Sequence, residues 1–167
     1  LSLVFSLFAT SSGASEDLAS LAQPVARGPL SGDSVYFVMT DRFANGDTSN
    51  DGGGLTGGRL GGGDDPTDIG YYHGGDFKGL TKHLQYIKDL GFNSIWITPP
   101  VKNQYVQQGS AGYHGYWAVD FTTIDPHLGT EQDFKDFVAS SHKLGMKVIV
   151  DIVVNHTADI VKYTIGS

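Results

Sequence analysis

Short runs of β-branched and aromatic residues alternate along the middle of the chain with polar and glycine-rich segments. Three of these runs are predicted to be β-strands: SVYFVMT at 34–40, FNSIWIT at 92–98, and the run at 147–154. The first follows turn residues, and the second ends at Pro99-Pro100, which cannot continue a ladder of hydrogen bonds. The chain is therefore expected to contribute three strands to one sheet.

Two stretches between these strands have the apolar spacing of amphipathic helices. Leucine and isoleucine recur at steps of four, three and three over residues 80–90, and Gly91 follows as a helix stop. Thr130 and Asp133 form a variant of the capping box, which predicts a second helix that ends at Gly145. A strand, a crossover helix and another strand make a βαβ unit, which is right-handed as a general rule.

The segment VIVDIVVNH, from Val148 to His156, combines an apolar body with a polar end. Its nearly continuous apolar run predicts a strand that is buried on both faces of a parallel sheet. Asp151, Asn155 and His156 then stand at the carboxyl end, where sheets of this kind meet their ligands. Alternatively, Asp151 and His156 cap backbone amides at the end of the strand without contacting a ligand.

Residues 44–75 form a long segment without an apolar period, rich in Gly, Asp, Asn and Thr. Long loops of this kind are usually functional or held by a ligand, and carboxylate and amide oxygens suit the coordination of Ca²⁺. An EF-hand that starts at Asp47 is excluded, because its twelfth position is Gly58 where a Glu is required. A solvated linker is the alternative. The candidate oxygen groups are Asn45, Asp47, Asn50, Asp51, Asp64, Asp65, Asp68 and Asp76.

The segment YHGYW at 113–117 holds aromatic rings on a glycine-containing backbone that can approach a ligand closely. Sugars suit such a segment, because their CH faces stack on rings while their hydroxyls hydrogen-bond to groups such as imidazole. His114 and Tyr116 are the candidates for this role. For Trp117, a place in a small hydrophobic cluster beneath the loop is favoured instead.

Composition narrows the class of protein. The 167 residues carry a formal net charge of −7 and no Cys, with 40% hydrophobic and 17% charged residues, as in ordinary soluble globular proteins. Nucleic acid is not expected as a partner, because no basic patch is present, and neither disulfides nor thiol chemistry are available. After the first residues, no apolar run reaches the roughly 20 residues of a membrane span. The sequence does not imply a protein partner.

Residues 1–14 are apolar and then small, which predicts the back half of a secretory signal peptide without its Met and basic start. The recorded sequence is therefore expected to be a fragment at its start, although a buried terminal helix is the alternative for this stretch. A polar linker is expected at 15–32. Export predicts that the protein is secreted.

Four separated segments resemble the α-amylase family, glycoside hydrolase family 13. The resemblance covers about residues 33–160 and is to secreted bacterial members. It implies an α/β fold in which residues 33–167 are the amino-terminal portion, about three βα units, of a truncated (β/α)8 TIM barrel. A whole barrel needs about 250 residues, so the chain is expected to be part of a larger enzyme. The matching segments are DRFANGD, GGDFKGL, YHGYW with the downstream DPHLGT, and DIVVNH.

The resemblance also implies site residues and a calcium cofactor. Substrate-binding positions beside the cleaved bond are His114, Tyr116, Asp151 and His156. Ca²⁺ ligands in the loop after the first strand are Asn45, Asp47, Asn50, Asp51, the carbonyl of Gly74, and Asp76. Asn155 resembles a ligand of the calcium that ties the third-strand loop to the barrel. Asp47 and Asp51 stand where Asn is commoner in the family, a departure that changes the charge of the site.

The family cleaves or transfers α-glucosidic bonds with retention, so a starch-like α-glucan is the implied substrate and α-amylase the implied activity. In the family the catalytic carboxylates come from strands after the third. No catalytic residue is therefore expected within this chain, and these residues alone are expected to be inactive. Cyclodextrin glucanotransferase, pullulanase and neopullulanase activities stay open. A non-catalytic, calcium-dependent glucan-binding module is the alternative of another class.

Overall fold

The structure is a computed structural model that describes residues 28–161. The predicted signal peptide at 1–14 and most of the linker at 15–32 lie outside the described residues, and both stay predictions. The pattern of backbone contacts divides the chain into two units after Gly32. The helices and strands described here belong to the unit that begins at Asp33. None of the helices in the described range has the length and apolarity to cross a membrane.

The predicted βαβ arrangement is confirmed. The strands, in chain order, are β1 Val35–Val38, β2 Ser94–Ile97, β3 Val101–Asn103, β4 Val106–Gln107, β5 Ser110–Ala111, β6 Ala118–Ile124 and β7 Lys147–Val150. The helices are α1 Gly58–Gly61, α2 Phe77–Lys82, α3 Leu84–Asp89 and α4 Glu131–Lys143, and a 3-10 turn covers Thr40–Arg42. Strands β1, β2 and β7 pair in parallel in that order, so their carboxyl ends meet at one edge of the sheet.

The main core lies between this sheet and its helices. Ile95 and Ile97 of β2 are fully buried with apolar side chains of α2, α3 and α4. These helix residues are Phe77, Leu80, Leu84, Ile87 and Phe137. Phe37 and Trp96 are paired across β1 and β2, with ring centroids 5.1 Å apart, and they are 50% and 40% exposed. The helices therefore cover one face of the sheet.

The strand predicted at 147–154 is shorter in the structure, where β7 covers Lys147–Val150. The strand β7 ends at Val150, which is 38% exposed, and Val154 beyond it is 81% exposed. Within residues 28–161, β7 pairs only with β2, and the helices pack on one side of it. Apolar composition therefore overstated the length of this strand, and burial of the free side of β7 stays a prediction.

The predicted helix at 80–90 is instead two shorter helices. The break falls at His83, whose backbone has φ −107° and ψ 10° and whose Nδ1 lies 2.8 Å from the carbonyl oxygen of Gly79. Asp76 caps α2 earlier than predicted, because its Oδ1 accepts a 2.6 Å hydrogen bond from the amide of Gly79. The predicted capping box of Thr130 and Asp133 at the start of α4 is confirmed.

The segment 101–112, which has no clear apolar period in the sequence, contains the short strands β3, β4 and β5. Strand β3 pairs antiparallel with β6, and β4 pairs with β5 in a two-residue ladder. Ladders this short are too brief to produce an apolar period in the sequence. Residues 44–75 are mainly turns, as expected, with the four-residue helix α1 among them.

Candidate functional site

Polar residues follow each strand of the parallel sheet at its carboxyl edge. Asp41 lies in the 3-10 turn after β1, and Asp151 directly follows β7. The segment that follows β2 carries the aromatic residues 113–117. In barrels of parallel strands this edge is where ligands bind. The topology therefore brings the sequence-predicted substrate residues to one place.

Tyr116 is the centre of a hydrogen-bonded group that contains all four predicted substrate residues. Its hydroxyl donates a 2.6 Å hydrogen bond to Oδ2 of Asp151, and its carbonyl accepts a 3.0 Å hydrogen bond from Nε2 of His156. Its amide donates to Nδ1 of His114 at 3.0 Å. The hydrogen bond to Asp151, together with burial, raises the pKa of Tyr116 to about 12. Tyr116 therefore carries its phenolic proton at neutral pH.

Aromatic rings surround His114 on several sides. The ring of Tyr116 lies nearly parallel to it, with centroids 5.9 Å apart, and Trp117 meets it edge-on at 4.7 Å. The amide of Trp117 donates a 2.7 Å hydrogen bond to Oδ1 of Asn103 in β3. Trp117 is therefore held by β3 and also packs on His114, so it contacts the candidate site itself.

The neutral imidazole of His114 has a defined donor and acceptor. Burial lowers the pKa of His114, and the positive charge of Arg42 lowers it further. Because Nδ1 accepts from the amide of Tyr116, the proton of the neutral ring lies on Nε2. His114 can therefore donate from Nε2 to an oxygen acceptor, while the face of Tyr116 offers an apolar surface. This combination suits a sugar ring.

The six loop residues predicted to bind calcium form a second group. Nδ2 of Asn45 donates a 2.7 Å hydrogen bond to Oδ1 of Asp51. Oδ2 of Asp76 accepts from the amide of Asp47 at 2.7 Å and lies 3.5 Å from Nδ2 of Asn50. Two separated stretches, 45–51 and 74–76, therefore converge on one cluster of oxygen atoms.

Gly74 completes the cluster because only glycine fits there. Its φ is +82°, and a Cβ at this position would lie 2.4 Å from Nδ2 of Asn45 and 2.8 Å from Oδ1 of Asp51. Any side chain would therefore clash with two of the predicted ligands. The backbone of Gly74 therefore lies directly against Asn45 and Asp51.

Two features of this cluster favour a cation. Oδ1 of Asn50 is buried without a hydrogen-bond partner, which is costly for a polar atom. Burial raises the pKa of Asp51, and the like charges of neighbouring carboxylates raise it further. These neighbours are Asp64, Asp76 and Asp47. A bound cation would satisfy the first feature and offset the second.

Other features of the loop are satisfied within the protein. Oδ2 of Asp47 pairs with Nζ of Lys78 at 2.5 Å, a contact that lowers the pKa of Asp47. Among residues 28–161, no three His, Asp or Glu side chains are placed to hold a metal ion together. The predicted set takes half of its donors from Asn45, Asn50 and the carbonyl of Gly74, and such neutral oxygens are ordinary Ca²⁺ ligands.

Asn155 is exposed, and its Oδ1 lies 3.2 Å from Nδ1 of His156. This contact places Asn155 beside the predicted sugar residues. Its predicted role as a calcium ligand stays a prediction.

Sequence reasoning assigned no role to the pair that follows β1. The carboxylate of Asp41 is almost fully buried and accepts hydrogen bonds from the amides of His73 and Gly74 at 2.9 Å and 3.2 Å. Burial raises its pKa to about 6. Arg42 contacts both Asp41 and the aromatic segment. Both residues belong to the segment DRFANGD, which the family resemblance singles out. The sequence does not show which residues they contact.

His127 was also missed. Its ring is buried and stacks on Tyr72, with centroids 3.8 Å apart and planes 2° from parallel. Nδ1 lies 2.8 Å from Oδ1 of Asp125, and Nε2 lies 2.7 Å from the carbonyl oxygen of Gly62. His127 therefore joins DPHLGT to the glycine-rich loop, across 65 residues of sequence.

Comparison with known proteins identifies the class. The family described as "Alpha amylase, catalytic domain" matches residues 37–167. The chain is 50% identical to an α-amylase of Streptomyces lividans over 149 residues, and 40% identical to a cyclomaltodextrin glucanotransferase of Klebsiella oxytoca over 129 residues. These alignments cover 87% and 75% of the chain, but only 16% and 19% of the relatives.

Solved structures agree with this class. The chain matches the cyclomaltodextrin glucanotransferase CldA with a TM-score of 0.68 and 46% identity, over 75% of this chain and 26% of that one. It matches the α-amylase of Geobacillus thermoleovorans, solved in complex with acarbose, with a TM-score of 0.62 and 43% identity, over 77% of this chain and 24% of that one. The chain belongs to the α-amylase family and corresponds to part of its catalytic domain.

Proposed function

We propose that the protein of which this chain forms a part hydrolyses internal α-glucosidic bonds of starch-like α-glucans with retention, as an α-amylase. The observation that carries this proposal is the group formed by Tyr116, Asp151 and His156 at the carboxyl edge of the sheet. It joins aromatic surface and hydrogen-bonding groups at the place where parallel-stranded enzymes bind substrates.

The residues of this chain would bind and orient the sugar. The ring of Tyr116 offers a stacking surface, and its hydrogen bond to Asp151 fixes the direction of that ring. His114 and His156 each hydrogen-bond to the backbone of Tyr116, so both imidazole rings lie close to this stacking residue. A retaining reaction needs two carboxyl groups about 5 Å apart, one as nucleophile and one as acid and then base. The family resemblance implies that later strands supply them.

The same proposal includes a calcium ion in the loop after β1. The unpartnered oxygen of Asn50 and the crowded carboxylate of Asp51 support it. The residues that would hold the ion are Asn45, Asp47, Asn50, Asp51, Gly74 and Asp76. A bound ion would supply positive charge between the two loop stretches. For Asp47 to hold the ion, its ion pair with Lys78 has to open.

Secretion also belongs to the proposal. The apolar stretch at 1–14 supports it, and a relative that is 41% identical is the periplasmic α-amylase of Escherichia coli. Amino-terminal sequencing of the protein recovered from culture medium tests this part. A mature amino terminus near Ser15 is expected, whereas retention of the whole stretch in the cell contradicts export.

The deciding experiment incubates the purified full-length protein with soluble starch and follows the anomeric protons by NMR. New α-anomeric reducing ends that appear before mutarotation support a retaining α-amylase. Cyclic products would favour a cyclodextrin glucanotransferase, the second candidate, which the 40% identity to such enzymes supports. Starch binding without cleavage would contradict the proposal in favour of a glucan-binding module. Cleavage of pullulan instead of starch would indicate a pullulanase or neopullulanase.

A further inference from the structure

Arg42 has an unusually complete set of contacts for a residue outside the predicted site. Its Nη2 donates to the carbonyl oxygens of Ile69 and Tyr71 at 2.8 Å and 2.7 Å, and its Nη1 lies 2.7 Å from Nε2 of His73. Nε lies 2.9 Å from Oδ2 of buried Asp41, an ion-pair contact without the alignment of a hydrogen bond. These contacts hold the guanidinium plane in one orientation.

That plane lies against the aromatic segment. Cζ of Arg42 is 3.9 Å from the centroid of the Tyr113 ring, which is a cation–π contact. Tyr113 in turn meets His114 edge-on, with centroids 5.2 Å apart and planes at 74°. Arg42 is therefore one residue removed from His114, the predicted sugar-binding histidine.

The positive charge of Arg42 also favours the binding arrangement of His114. After burial, Arg42 is the cause that lowers the pKa of His114. It thereby favours the neutral ring, whose Nδ1 accepts from Tyr116 and whose Nε2 carries a proton for a sugar oxygen. Both effects act on His114, the residue proposed to contact the sugar.

We propose that Arg42 is a positioning residue for glucan binding, which acts through Tyr113 to hold His114 and Tyr116 in their binding arrangement. This inference rests on the function proposed above. Arg42 connects three regions that are separate in sequence, namely the end of β1, residues 69–73 and the aromatic segment. Because planar stacking and several directed hydrogen bonds are needed together, lysine cannot replace arginine here.

Arg59 provides a matched control within the same protein. Its Cζ lies 3.8 Å from the centroid of the Tyr71 ring, and its guanidinium pairs with Asp65 and Asp68, both at 2.6 Å. It therefore stacks on a tyrosine as Arg42 does, but this tyrosine lies outside the segment 113–117. A purely structural stacking arginine should behave like Arg59.

The test compares Arg42→Lys, Tyr113→Leu, the double variant and Arg59→Lys in the full-length enzyme, with maltoheptaose as substrate. Arg42→Lys and Tyr113→Leu are each expected to lower kcat/KM about tenfold, the scale of one partly buried cation–π contact. Arg59→Lys is expected to leave kcat/KM within about twofold. The double variant should lose no more than Tyr113→Leu alone, since Arg42 acts through that ring.

Two results overturn the inference. One is a kcat/KM of Arg42→Lys that equals that of Arg59→Lys, and the other is full additivity of the two losses in the double variant. If Arg42→Lys does not fold, Tyr113→Leu alone tests the inference. An unchanged kcat/KM for Tyr113→Leu then contradicts a role for Tyr113 between Arg42 and His114. Failure of the wild-type enzyme to cleave maltoheptaose contradicts the proposed function itself. This result is obtained without any variant, so it is distinct from the two results that overturn the role of Arg42.

Discussion

The hydroxyl of Tyr116 donates a 2.6 Å hydrogen bond to Oδ2 of Asp151, across 35 residues of sequence. This contact joins the segment after β2 to the residue that follows β7. A carboxylate from one loop thereby orients an aromatic ring from another loop. The orientation of Tyr116 is therefore a property of the assembled sheet edge.

Tyr116→Phe in the full-length enzyme removes this hydrogen bond but keeps the ring. We expect kcat/KM on starch to fall about tenfold, because a hydrogen bond to a charged group contributes roughly 1.5 kcal/mol or more. The melting temperature should change little, since Tyr116 is only partly buried. Tyr86→Phe, at an exposed position of α3, is the control. Unchanged turnover with several degrees of lost stability would assign Tyr116 a structural role instead.

The charge of Asp51 gives a test of the calcium site. Asp51→Asn relieves repulsion from neighbouring carboxylates, so we expect the variant to melt no lower than wild type in the presence of a chelator. With calcium, wild type should gain about 2.7 kcal/mol at one hundred times the dissociation constant, and the variant should gain less. Thermal melts with and without calcium measure both effects, with the exposed Asp136→Asn as control. Equal wild-type melting temperatures in both conditions would exclude a structural calcium.

His114 predicts a pH dependence with a definite sign. Burial, aided by Arg42, lowers its pKa in the folded protein below the usual value near 6.5. As pH falls below that value, the unfolded chain takes up a proton at His114 that the folded protein does not. Its contribution to stability is therefore present above the unfolded pKa and is lost as pH falls through the folded pKa. His114→Asn should accordingly flatten the loss of stability between about pH 7 and pH 5.

Urea unfolding at several pH values measures this effect, and the imidazole resonances of His114 report the titration directly by NMR. His142→Asn, at an exposed position of α4, is the control for loss of a histidine away from the site. A His114 resonance that titrates above 6.5 would contradict the expected direction.

His127→Ala should destabilise the protein by about 3 kcal/mol, which is the scale for loss of a buried ring together with its hydrogen bonds. The ring stacks on Tyr72, and its removal also deprives Asp125 and the carbonyl of Gly62 of a partner. Urea unfolding of the full-length protein measures the change. The matched variant His142→Ala on the exposed side of α4 should shift stability by less than about 0.5 kcal/mol. Equal midpoints for the two variants would refute a bridging role for His127.

Much of the architecture can be predicted from the sequence because its signals are local. The three parallel strands, the capping box of Thr130 and Asp133, and the helix that follows were each predicted from neighbouring residues. The four substrate-binding candidates were reached through short segments that resemble the α-amylase family. Their roles stay predictions, but the structure brings them within hydrogen-bonding reach of one another.

The tertiary structure determined where strand β7 ends and which side chains contact one another. An apolar run reports how apolar a strand is, but not where the strand ends, so the end of β7 at Val150 was missed. The link from Arg42 to Tyr113 and the link from His127 to Gly62 join residues more than sixty positions apart. Such contacts depend on how segments meet in space. Local periodicity therefore determined the elements of this protein, and only packing decided which side chains act together.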